Sequence, residues 1–198
     1  MVTRYLLPAL CLLLAAAPAR AEAPRSMSTE HIREAIAFGE IAVGELEAYD
    51  LIRRPAFVVN CDTPFLRVAR LARSVKAQNG SLSEADLPSA STAEVVHVYV
   101  HARYEAGSPK EFPEVEQVVL AKPNPDGTTR FLMPSSYQSF LRRVPVADDY
   151  EGPTRLARSA MIVFPLHAFS AGTELRIRFQ GGYTEALKLD EARLAQVR

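Results

Sequence analysis

From Ala93 onward, prolines and turn residues cut the chain into short apolar runs, and that rhythm restricts the fold more than any other feature. AEVVHVYVHAR, residues 93–103, alternates with period two and is rich in β-branched residues, the pattern of a half-buried strand. Val115 to Ala121 is a second run. Pro123-Asn124-Pro125-Asp126-Gly127 is dense turn chemistry, and Thr128 to Met133 is placed to return from it as a hairpin partner. Tyr137 to Leu141, Ala160 to Phe164, Glu174 to Gln180 and Thr184 to Leu189 follow, with Gly181-Gly182 as a tight turn between the last two. No βαβ rhythm interrupts them. The fold class expected is mainly β with N-terminal helices: an antiparallel β-sandwich of immunoglobulin-like type. The alternative is an α+β fold with both early helices on one face of an antiparallel sheet.

Before Ala93 the texture is helical. STEHIREAIAF, residues 28–38, has Ser28 as a cap, Glu30 at the positive end, and Ile32, Ala35 and Ile36 on one face; Gly39 or Gly44 is placed to close it. Residues 40–54 are ambiguous, with a second, acidic helix an option around Glu45 to Ala48. Phe57 to Asn60 reads as a short buried strand. Thr63 then caps a helix with Pro64 at its first position. Phe65, Val68, Ala69, Ala72 and Val75 cluster on one side, and Arg67, Arg70 and Arg73 spread over the other. Asn79-Gly80 ends it, and Ser83 to Leu87 adds a turn. At the far end, Asp190 is placed to cap EARLAQV.

Residues 1–21 carry the three parts of a secretory signal peptide: basic Arg4, an apolar run from Tyr5 to Ala17, and the small-x-small site Ala19-Arg20-Ala21. The apolar run is shorter than the roughly 20 residues of a membrane span. The expectation is therefore a periplasmic or secreted chain starting at Glu22, residues 22–198 forming one domain with a helical part, 22–92, and a β-rich part, 93–198. Losing Arg4 and Arg20 turns 23 basic and 23 acidic residues into 21 and 23. So even a balance makes no general electrostatic case for nucleic acid. Cys11 is lost as well, which leaves Cys61 alone and no internal disulfide to form. Stability must then come from apolar burial.

Few residues point to chemistry. Cys61 lies just ahead of a helix N-terminus, where thiols are activated, but it ends an apolar run, and packing is the better reading. His97 and His101 share one face of a strand about 13 Å apart at 3.3 Å per residue, too far for one metal. His31 and His167 are the remaining histidines. The loop Asp148-Asp149-Tyr150-Glu151-Gly152 lacks the spacing of a calcium loop. Asn79-Gly80-Ser81 is a formal glycosylation sequon, discounted because the leader has a bacterial style. GxSxG, P-loop, HExxH and CxxC patterns are all missing. No cofactor and no catalytic residue is expected. Arg67, Arg70 and Arg73 are the candidate binding residues, for a carboxylate or phosphate of a partner, with a solvated helix face as the plainer reading.

TPFLRVARLA, with STEHIREAIAFG before it and AEVVHVYV after it, resembles a set of exported bacterial proteins of unknown function, over about residues 28 to 100. The resemblance implies export. The function expected is a non-enzymatic periplasmic or secreted binding or assembly module with an envelope or secreted protein as partner. The alternative is a periplasmic hydrolase whose site is assembled from distant His and carboxylate residues. An exposed apolar or charged patch favours the first, and a concave pocket with converging titratable groups favours the second.

Overall fold

A computed structural model describes residues 27–43, 46–103, 113–145 and 154–196. The leader expected at residues 1–21, Gly44, Glu45 and the acidic stretch at 148–152 lie outside the described residues. Element order is α1 (Thr29–Ile41), β1 (Tyr49–Arg53), β2 (Phe57–Asp62), α2 (Pro64–Ala77) and α3 (Ser89–Thr92), then β3 (Val95–Ala102), β4 (Val115–Pro123), β5 (Thr129–Leu132), β6 (Ser136–Pro145), β7 (Thr154–Pro165), β8 (Glu174–Phe179), β9 (Thr184–Lys188) and α4 (Glu191–Gln196). No helix among the described residues is long and apolar enough to cross a membrane.

The strands form two open antiparallel sheets, β1-β2-β3-β7-β6 and β5-β4-β8-β9. Alternation decides which face of each is apolar. In β3, Val96, Val98, Val100 and Ala102 are buried while His97, Tyr99 and His101 are half-exposed. Val59, Cys61, Val98 and Ile162 of the five-stranded sheet join Leu120, Leu175, Ile177 and Phe179 of the four-stranded sheet in one hydrophobic cluster. The Tyr137 hydroxyl on β6 donates to the Val115 carbonyl on β4 at 2.8 Å, tying the sheets at one side.

The helices have a small core of their own: Ala35 against Phe65 and Val68, ringed by Met27, Ile36, Phe38 and Leu87. Local signals set their ends. The Ser28 hydroxyl accepts from the His31 N–H and the Thr63 hydroxyl from the Leu66 N–H, each at 3.3 Å, and Pro64 sits at the first helical position. Asp190 caps α4 by accepting from the Arg193 N–H at 2.9 Å. Two expectations need correction. Gly39 does not end α1, which runs on to Ile41; it is buried where α1 crosses α2. Glu47 and Ala48 are not helical and lead into β1, an edge strand held by its ladder to β2. The strand expected at Phe57 to Asn60 is β2, and with β1 it extends the sheet that β3 begins.

Candidate functional site

The β2–α2 junction gathers most of the residues singled out in the sequence. Phe57, Val59 and Cys61 point into the core, so Asp62 falls on the outer face of the sheet, where its register partner is His97. Asn60 pairs with Tyr99 and Val58 with His101, so the three ring-bearing side chains of β3 form a row on that face. Tyr99 stacks on His101 with centroids 5.6 Å apart and meets His97 edge-on at 6.2 Å.

Asp62 is the centre of this cluster and is almost fully buried. Its Oδ2 accepts from Arg70 Nη1 at 3.0 Å, while its Oδ1 is buried without a hydrogen-bond partner among the described residues. Arg70 also donates from Nε to the Leu46 carbonyl at 2.6 Å. Arg67 spends its guanidinium on main-chain carbonyls: Ala93 at 2.8 Å, Val95 at 3.2 Å and Asp62 at 3.3 Å. So Arg67 and Arg70 meet at Asp62 and face inward. Arg73, on the same helix, is half-exposed and also has an interaction. Asp62 is the internal carboxylate partner of Arg70.

Burial governs the protonation of the cluster. It pushes the Asp62 carboxyl up, against the pull of Arg70 and then Arg67. It pushes the His97 imidazole down, with the positive charge of Arg67 adding to the effect, and raises the Tyr99 phenol, with Asp62 second. Burial, and then Arg142, carry His101 down to about 4, and its Nδ1 is buried with no partner among the described residues. His97 and His101 are therefore neutral imidazoles on a sheet face. Among the described residues no group of three His, Cys, Asp or Glu side chains could hold a metal. Chemically the cluster is a clasp: Arg70 ties the approach to β1 to the buried Asp62 carboxylate, and Arg67 ties the α3–β3 junction to the Asp62 main-chain carbonyl. Cys61 is fully buried beside it, and burial, with Asp62 second, pushes its thiol up to about 12. That thiol is a packing group.

A different arrangement occupies the other end of β2, five residues away or about 16 Å at 3.3 Å per residue. The turn from Arg54 to Ala56, closed by the Arg54 N–H donating to the Phe57 carbonyl at 2.8 Å, meets Pro113 ahead of β4 and the β8–β9 turn. Between them lies a cavity of about 310 Å³. Three rings line it in series: Phe57 and Phe179 with centroids 5.0 Å apart, then Phe179 and Tyr183 at 5.6 Å. Gly181 and Gly182, at φ of 87° and 86°, allow the turn that brings Tyr183 back over Phe179. One polar group closes the rim. Arg54 donates to both Glu185 oxygens, at 2.8 and 3.2 Å, and the Tyr183 hydroxyl donates to the same carboxylate. The Arg54 hydrogen bond is the main reason Glu185 stays below the usual carboxylate range.

Reading the sequence missed this cavity, because its walls come from two turns and from Pro113, far apart in the chain. The one usable signal was a proline turn, Arg54-Pro55-Ala56, directly before an inward aromatic. No family model, curated protein or solved structure matches this chain.

Proposed function

We propose that this chain is an exported, non-enzymatic binding module carried on an immunoglobulin-like antiparallel β-sandwich. Strand order supports the architecture. β2-β3-β7-β6 against β5-β4-β8-β9 corresponds to the A-B-E-D and C′-C-F-G sheets of that fold, with β1 added at one edge. The order of residues 1–21, basic then apolar then small, supports export to the periplasm or the medium.

The aromatic cavity carries the binding reading. At about 310 Å³ it falls at the low end of small-molecule sites, and its wall is rings and prolines with a rim whose hydrogen bonds are already made. A hydrolase needs a nucleophile or base converging on a pocket. Asp62, His97 and His101 do not line this cavity, and the carboxylate at its rim, Glu185, is already engaged by Arg54 and Tyr183. The ligand class that fits is neutral and apolar, with a flat ring or short chain. Titration with N-phenyl-1-naphthylamine, a neutral fluorophore, tests this. Wild type should bind it in the micromolar range, and Ala56→Phe, which fills the cavity from its wall, should weaken binding by tenfold or more. Absence of binding, or equal binding by a folded Ala56→Phe protein, rejects the cavity as the site. Export is tested separately by N-terminal sequencing of protein recovered from its host, which should start at Glu22.

A further inference from the structure

The five-stranded sheet ends in β6, and this edge differs from the other three. β1 is five residues long with a register shift between Asp50 and Ile52, β5 has four residues and β9 has five. β6 has ten residues, and its ladder to β7 runs unshifted from Ser136↔Val163 to Pro145↔Thr154. Its outer side therefore presents a long, regular row of main-chain N–H and C=O groups with no neighbouring strand among the described residues.

The side chains say what kind of strand fits there. Arg142 and Arg143 are exposed on β6, and no carboxylate among the described residues pairs with either. Neither β6 nor β7 contains an acidic residue. Leu141 and Leu156 are 65% and 64% exposed. They are diagonal neighbours across the ladder, because Leu141 faces Arg158 and Leu156 faces Arg143. They continue the face on which Tyr137 reaches Val115, past the point where the other sheet covers it.

We propose that β6 is a strand-addition site for an extended acidic segment of another protein: one that pairs main chain to main chain, lays apolar residues beside Leu141, and sets adjacent carboxylates against Arg142 and Arg143. The two arginines decide against the simplest rival, a second copy of β6, because that pairing would bring uncompensated positive charge from both chains to one seam. An acidic strand removes the same charge. This site is separate from the aromatic cavity, and its success or failure does not depend on what that cavity binds.

The probe is a fluorescein-labelled peptide of alternating Val and Thr ending in Glu-Glu, compared with the same peptide ending in Lys-Lys and with a Glu-Glu peptide N-methylated at alternate amides. Fluorescence anisotropy on the mature chain should show binding of the first alone, weakened tenfold or more by Arg142→Glu with Arg143→Glu, and weakened again by salt. Thermal melts and far-UV circular dichroism of that variant show that it is folded. Equal binding of the Lys-Lys or N-methylated peptide, or no binding of the Glu-Glu peptide, overturns the proposal. A wild-type dimer by sedimentation that dissociates in Leu141→Arg would assign the edge to a second copy and overturn it as well.

Discussion

Gly39→Ala gives the sharpest test of the helical layer, because two effects of opposite sign meet at one atom. Glycine inside a helix costs about 0.8–1 kcal/mol relative to alanine, so helix propensity alone favours the change. The structure reverses the sign. A Cβ at residue 39 would lie 2.1 Å from the Ala69 carbonyl oxygen, 2.8 Å from its carbon and 3.0 Å from its Cα. Those neighbours are main chain and cannot rotate away. Ordinary carbon contacts need about 3.5 Å, so α1 must back off α2 by more than about 1 Å. That retreat loosens Ala35, Phe65 and Val68 and parts the Phe38 and Phe65 rings, now 5.8 Å apart. Overpacking of this kind costs about 1–3 kcal/mol, and a main-chain obstacle belongs at the upper end. After subtracting the propensity gain, a net loss of about 2 kcal/mol remains, or a fall in Tm of about 4–8 °C for a chain of this size. Thermal and urea melts followed by circular dichroism measure it. The control is Ala37→Gly on the exposed side of α1, which should lose about 1 kcal/mol by propensity alone. A Gly39→Ala protein as stable as wild type, or more so, would refute the close crossing.

Cys61 should resist thiol reagents at neutral pH until the chain unfolds, since burial pushes the thiol up to about 12, and Cys61→Ser should cost about 1–3 kcal/mol in urea melts for a buried hydroxyl without a partner. Asp62→Ala should cost about 2 kcal/mol, below the usual range for breaking a buried pair because Arg70 keeps a third of its side chain in water; an Asp62→Ala and Arg70→Met cycle should show strong coupling between the two. His101 is neutral in the folded chain down to about pH 4, while in the unfolded chain it takes a proton near pH 6.5. Its contribution is therefore complete above pH 6.5 and is lost as pH falls towards 4, with His97 acting in the same sense and Asp62, whose carboxyl is raised, in the opposite one. His101→Phe should flatten that acid limb by about 2 kcal/mol once partial exposure is discounted, as read from urea midpoints across pH.

Whatever depends on residues within one helical turn or one pleat was legible in the sequence. Ser28, Thr63-Pro64 and Asp190 announce helix starts because a cap is a contact over three residues. The alternation around His97 announces β3 and its buried valines, and the Gly181-Gly182 turn announces the β8–β9 hairpin. The apolar run before Cys61 likewise placed that thiol in the core. Strand ends were less legible. β6 and β7 run well past the apolar stretches that mark them, because through Arg142, Arg143 and Arg155 the ladder holds them and not a buried side chain. Contacts between distant segments were decided by the tertiary structure alone. YDLIR is a strand because β2 lies beside it, and Gly39 is required because Ala69 crosses it thirty residues later. A three-residue spacing spreads arginines round an isolated helix. Arg67 and Arg70 instead turn inward, because β2 delivers Asp62 and the α3–β3 junction delivers two carbonyls to that side of α2. The aromatic cavity needs two turns and Pro113 to meet, and no periodicity within any of these segments encodes the meeting.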